Sequence, residues 1–273
     1  VQRSCLQIIL IANLWAVIGE PVATQSLLTR PEYSEASITS AAGGEAGRIA
    51  PNSIISLYGK NLSQIVWAIS PQDLSRGILP TATPFDAVYL QIQDRRIPLF
   101  YVSPTQINAL IPPDVLPGMR RIQLSRDLLA GPVVTIAVAP EAPELFRMPE
   151  GFVAATHADG RVVTVEHPAE ADEVIVAYGT GFGPLRFVEQ GVLVPTRASE
   201  VVRAREFRVR LNGEELPGEA LLYVGVTPGF AGLYQVNLRM PRVLEEHPRI
   251  EMGVGGNWST GQLRVAARKS ATP

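Results

Sequence analysis

The segment Gln106-Ile107-Asn108-Ala109-Leu110-Ile111-Pro112 returns later in the chain as Gln235-Val236-Asn237-Leu238-Arg239-Met240-Pro241. In both copies the second, fourth and sixth residues are apolar and the first and third are Gln and Asn, the alternation of a strand with one buried face. Proline, with no N–H to offer a ladder, closes each strand. A chain that carries the same strand twice is read as two copies of one unit.

The flanks repeat in the same order. Residues 54–62 (IISLYGKNL) match 174–182 (VIVAYGTGF), with Tyr58 and Tyr178 each followed by glycine. Residues 88–93, a turn at Asp94-Arg95-Arg96, and Ile97-Pro98 match 208–212, a turn at Gly213-Glu214-Glu215, and Leu216-Pro217. Residues 99–102 match 221–224, and the second copy is longer in one loop, 225–232. Two more short apolar segments end each copy, at 121–124 and 133–138 and at 249–254 and 262–266. Short strands broken by turns at this spacing indicate a sandwich rather than a solenoid or propeller. A hairpin is expected at 151–165 around Ala158-Asp159-Gly160, because Asp-Gly adopts the positive φ that tight turns require; residues 38–49 are its candidate relative in the first copy. The expected fold is all-β: two tandem immunoglobulin-like β-sandwiches from an internal duplication, at 46–140 and 147–267, joined by the proline-containing connector 139–144.

Composition narrows the function classes. Lys and Arg number 24 against 26 Asp and Glu, so no overall field recruits nucleic acid or an anionic membrane. The amino terminus has one arginine, an apolar run at 5–19 and then small residues after Pro21, the order of parts in a secretory signal. The run falls short of the roughly twenty residues that span a bilayer. Residues 1–25 are therefore read as a signal peptide and 26–45 as a polar tether, with no membrane insertion after cleavage. The single cysteine, Cys5, lies in the signal, so a disulfide framework and a cysteine nucleophile are not expected in the exported protein.

The segments 49–59 (IAPNSIISLYG), 98–108 (PLFYVSPTQIN), 178–184 (YGTGFGP) and 226–237 (VTPGFAGLYQVN) resemble the uncharacterised carboxy-terminal domain family of large secreted proteins in Solibacter and other Acidobacteria. The half units are also similar, more weakly, to the immunoglobulin-like modules called IPT or TIG. The first resemblance implies a secreted or surface β module and brings no activity or binding residues with it. Members of that family usually end longer chains, whereas this chain is read as a signal and the module.

The motifs with chemical potential favour binding over catalysis. Gly179-Thr180-Gly181-Phe182-Gly183 lacks the spacing of a phosphate loop and runs into Pro184 rather than a helix, so a strand-end turn is expected. His157, His167 and His247 are scattered, there is no Gly-x-Ser-x-Gly or His-Glu-x-x-His motif, and the acidic residues near 159, 170–172 and 214–215 fall in turns. No catalytic, metal or cofactor residue is assigned. Candidate ligand contacts are Phe230, Tyr234, Trp258, Gln235 and Asn237. The indole of Trp258, like that of Trp67, either presents a flat face to a sugar ring or covers a sandwich core. Gln106, Asn108, Gln235 and Asn237 either form an amide ladder for sugar hydroxyls or hydrogen-bond neighbouring loop backbone, and their recurrence in both copies favours the structural role. The functional expectation is a secreted or cell-surface, non-catalytic binding or structural module, whose partner is an extracellular polysaccharide or another secreted protein. An accessory or degenerate carbohydrate-active enzyme and an inert spacer are the alternatives.

Overall fold

The computed structural model describes residues 29–43, 46–70, 72–73, 77, 79–187 and 193–270; the expected signal peptide and Cys5 lie outside the described residues. The first half holds β1 (Ile38–Ser40), β2 (Ile54–Tyr58), β3 (Trp67–Ala68), β4 (Tyr89–Ile92), β5 (Arg95–Arg96), β6 (Leu99–Val102), β7 (Gln106–Leu110), β8 (Gly118–Arg126), β9 (Leu129–Ala130) and β10 (Val134–Val138). The second holds β11 (Glu144–Leu145), β12 (Ala155–His157), β13 (Val174–Thr180), β14 (Ser199–Glu200), β15 (Phe207–Leu211), β16 (Glu214–Glu215), β17 (Leu221–Val226), β18 (Tyr234–Arg239), β19 (Ile250–Val254) and β20 (Asn257–Trp258). The chain is all-β, with helical structure among the described residues confined to short turns, and each half is a pair of antiparallel sheets.

The halves repeat one topology. In the first, the sheets run β1-β2-β7-β6-β3 and β10-β8-β4-β5; in the second, β11-β13-β18-β17-β14, with β12 also on β13, and β16-β15-β19-β20. Register repeats as well: Tyr58 pairs with Gln106 as Tyr178 pairs with Gln235, and Asn108 pairs with Tyr101 as Asn237 pairs with Tyr223. Even the bulge recurs, at Leu99/Tyr101 and at Leu221/Tyr223. β1 lies on β2 as β12 lies on β13, and the antiparallel bridges Thr156–Val162 and Thr39–Ala46 form the expected hairpin at 151–165 and its relative near residue 38.

Alternation builds each core. Ile55, Leu57, Ile107 and Ala109 from one sheet meet Leu90, Ile92, Ile122 and Leu124 from the other; in the second half Ile175, Ala177, Val236 and Leu238 meet Val209, Leu211, Ile250 and Met252. Burying a side chain of this size contributes about 1.5–3 kcal/mol.

Three sequence expectations are corrected. The tight turns fall one residue earlier than expected: the residues with positive φ are Gln93 and Asp94 in the first half and Asn212 and Gly213 in the second, the two central positions of a type I′ turn whose twist matches the strands it joins. Arg95, Arg96, Glu214 and Glu215 are strand residues. The described part of the tether at 26–45 is folded structure, since the whole of β1 is buried and Glu32 exchanges backbone hydrogen bonds with Lys60 at 2.9 Å. The connector likewise is no exposed linker. Glu141, Ala142 and Glu144 are buried, Ala142 N–H donates to Gly181 O at 2.9 Å, and β11 pairs with the end of β13. The segment near Glu32 thus does for the first half what the connector does for the second. Both cross close to the repeated Tyr-Gly, and a side chain at Gly59 would lie 2.3 Å from Glu32 O, one at Gly179 2.5 Å from Glu144 O.

A third apolar cluster joins the halves. Ala42, Ile54, Phe100 and Leu110 of the first pack with Phe146, Ala154, Tyr178, Phe230, Ala231 and Leu233 of the second. Polar contacts frame it: Ile54 N–H donates to Thr180 Oγ1 at 3.0 Å, Asn52 Nδ2 donates to the Tyr234 hydroxyl at 3.0 Å, and Arg48 Nε meets Glu144 Oε1 at 2.9 Å.

Candidate functional site

The outer face of the sheet β1-β2-β7-β6-β3 follows from the register. Side chains directly opposite in an antiparallel pair share a face, so Thr39, Ser56, Asn108, Tyr101 and Ala68 form one row across the sheet, and Tyr58 and Gln106 stand in the next. Gln106 Nε2 donates to Asn108 Oδ1 at 3.0 Å, and Ser56 Oγ donates to the same oxygen at 2.9 Å. Both amides are buried, while Tyr58 is exposed and Tyr101 half-buried beside them.

The second half repeats the arrangement with more exposure. Thr156, Val176, Asn237 and Tyr223 form the row, with Tyr178 and Gln235 next to it. Gln235 Nε2 donates to Asn237 Oδ1 at 3.0 Å, and both residues are half-buried. The Tyr223 phenol donates toward the carbonyls of Ser199 (3.1 Å) and Val226 (3.0 Å), with burial pushing its pKa up. Each amide pair spends one N–H on its partner's oxygen. The described hydrogen bonds leave the glutamine Oε1 as an acceptor and the asparagine Nδ2 as a donor in both halves.

The five candidate contacts separate. Gln235 and Asn237 are on this face together, joined to each other rather than to loop backbone. Phe230 is buried in the cluster between the halves, because the longer loop carries it inward onto the first half. Tyr234 is wholly buried beside Phe182; its hydroxyl donates to Gly183 O at 2.7 Å while accepting from Asn52, and burial raises its pKa. Neither reaches a ligand. Trp258 is half-buried, with the Arg210 guanidinium 3.6 Å from its ring centroid and Gly253 so close that a side chain there would come within 2.7 Å of the ring. Trp67 is half-buried and packs on the first core.

Sequence reasoning passed over Tyr58, Tyr101 and Tyr223 as surface groups, although the period of two already placed them on the face of the amides. Asn52, at positive φ between the halves, carried no sequence signal of its role. Among the described residues no group of three or more His, Cys, Asp or Glu could hold a metal ion, and no helix is long and apolar enough to cross a membrane.

No family model matches the chain, and no curated protein matches it in sequence. Among solved structures it is similar to a surface glycan-binding protein of Prevotella bryantii (13% identity, TM-score 0.26, covering 87% of this chain and 42% of that one). It is similar also to the SGBP-B of the Bacteroides ovatus mixed-linkage glucan utilization locus, solved with a mixed-linkage heptasaccharide (13% identity, TM-score 0.32, 92% and 47%). The plexin A4 extracellular region is a third (9% identity, TM-score 0.27, 93% and 20%). The chain spans less than half the length of each, and scores this low place no function on it.

Proposed function

We propose that this is a non-catalytic, cell-surface or secreted two-sandwich module that binds a hydroxyl-rich polymer, a polysaccharide, across the outer sheet faces. The observation that carries the reading is the repeated arrangement of paired amides and tyrosines, Gln106/Asn108 with Tyr58 and Tyr101, and Gln235/Asn237 with Tyr223. A sugar hydroxyl donates and accepts at once, and the half-buried Gln235/Asn237 pair keeps one acceptor and one donor for it, whereas the buried Gln106/Asn108 pair sets the exposed Tyr58 beside it. A tyrosine beside them adds an apolar face with a polar tip. Tyr58 on one half and the Gln235/Asn237 pair on the other suit an extended chain better than a single small molecule, because linked weak contacts act at high effective concentration. The resemblance to the acidobacterial secreted family and the signal-like amino terminus support an exported location.

The test is affinity electrophoresis of the purified protein in gels containing soluble polysaccharides, with the Gln235→Ala/Asn237→Ala and Tyr58→Ala variants alongside. Retardation by at least one polymer, weakened about tenfold in the variants at an unchanged melting temperature, is the expected result. Variants that bind like the parent, or a parent that no polymer retards, would leave the amides a structural role.

A further inference from the structure

Where the halves meet they border a cavity that lies apart from the outer sheet faces. Its volume is about 120 Å³. Burial grades the lining from floor to rim: Asn52, Ser199 and Val226 are buried, Pro113, Leu185 and Pro195 are half-buried, and Phe187 and Arg197 are exposed. Asn52 and Pro113 come from the first half and the others from the second, so the cavity is complete only in the joined molecule.

The floor holds one acceptor and one donor. The Tyr234 hydroxyl gives its only hydrogen to Gly183 O at 2.7 Å, so toward Asn52 it accepts, and that fixes the amide with Nδ2 on the phenol. Asn52 Oδ1 is left over: it takes no hydrogen bond among the described residues, although Asn52 is only 6% exposed. Ser199 stands directly opposite Val226 across β14 and β17, on the face that also carries Tyr234. Its Oγ accepts from Phe187 N–H at 3.0 Å, and no acceptor takes its own hydrogen among the described residues. At the rim, Arg197 forms no ion pair among the described residues.

We propose that this cavity binds a small hydroxyaryl carboxylate. Its hydroxyl donates to Asn52 Oδ1 and accepts from Ser199 Oγ, its ring lies among Pro113, Leu185 and Pro195, and its carboxylate meets Arg197. Size limits the ligand to one ring, since an apolar cavity of about 150 Å³ is filled by a single benzene. A hydroxyl is the group that answers a lone acceptor and a lone donor together. Apolar walls favour an aromatic body over a sugar, whose other hydroxyls would lose water without gaining partners. The guanidinium at the rim selects a carboxylate. The site shares no residue with the sheet faces, so it stands or falls independently of polymer binding.

The test is isothermal titration calorimetry of the whole chain with 4-hydroxybenzoate, benzoate, phenol and glucuronate. Expected are one-to-one binding of 4-hydroxybenzoate and binding of benzoate and of phenol weaker by about fivefold or more. Ser199→Ala should erase the preference for 4-hydroxybenzoate over benzoate. Arg197→Gln, at an exposed position that leaves the fold intact, should weaken 4-hydroxybenzoate by about fivefold or more and leave phenol unchanged. Binding that neither substitution alters would lie elsewhere and overturn the proposal. Tighter binding of glucuronate than of 4-hydroxybenzoate would assign the cavity to an acidic sugar and overturn the aromatic assignment, and no binding of 4-hydroxybenzoate would remove the site altogether.

Discussion

Asn52 of the first half donates an Nδ2 hydrogen bond to the hydroxyl of Tyr234 in the second at 3.0 Å, and that hydroxyl in turn donates to Gly183 O at 2.7 Å. One buried phenol thus joins a loop of each half to a strand of the second. Tyr234→Phe would leave an amide N–H and a carbonyl unpaired in the interior, at about 1–3 kcal/mol. In a chain of this size that lowers Tm by about 2–10 °C. Asn52→Ala adds the strain of an alanine at positive φ, and the double variant should fall short of the sum of the two, as groups that share one network do. Additive losses in calorimetry would mean that the bond contributes nothing.

Glu144 is buried against Arg48 and Thr260, and burial is the dominant influence, raising its pKa above the ordinary 4.5. A carboxyl whose folded pKa is raised contributes stability that is full below its unfolded pKa and is lost as pH rises through the folded pKa. The parent should therefore lose ground to Glu144→Gln as pH rises from 4 through the carboxylate range, with no further change above it. Thermal melts of both proteins at matched pH check this, and a parent that gains on the variant as pH rises contradicts the sign.

Asn108→Ala should cost more than Asn237→Ala. Asn108 Oδ1 accepts from both Ser56 and Gln106 in a buried place, whereas Asn237 Oδ1 accepts from Gln235 alone and is half-buried, where water can substitute. The expected loss is about 1–3 kcal/mol for the first and under about 1 kcal/mol for the second, read from urea midpoints. Equal losses would mean that solvent does not reach the second pair.

Gly232 has φ +72, and a side chain there would lie 2.7 Å from Ile54 Cγ1 and from Leu110 Cδ1. Gly232→Ala should loosen the contact between halves while leaving each core intact. Hydrogen exchange is expected to quicken at Ile54 and Thr227 and to hold at Leu57 and Val236. Uniform quickening would show that the halves unfold as one cooperative unit.

The strand pattern was legible because alternation reports one buried face directly: Ile107, Ala109, Val236 and Leu238 point to their cores as their spacing implied. What alternation cannot report is a strand buried on both faces. Leu110 and Ile54 fall on the faces read as solvent-facing, and they are where the halves meet. The same limit made Phe230 and Tyr234 look like ligand contacts, since an aromatic residue next to a strand gives no sign of which loop will carry it inward. The tether and the connector read as linkers because a single extended strand rich in proline and small residues has no period. The one-residue displacement of both turns came from reading Asn212 as the last strand residue, although Asn-Gly is itself the signal for a type I′ turn.

The loop at 225–232, longer than its counterpart in the first half, brings Phe230, Ala231 and Gly232 onto the first half. Its counterpart between β6 and β7 is the short turn Ser103-Pro104-Thr105, which cannot reach a neighbour in that way. The attachment therefore has a sense, like a plug and a socket: the second half projects and the first receives. The halves are therefore not interchangeable: with their order along the chain reversed, the half that bears the short turn at 103–105 would have no projecting loop to offer its neighbour.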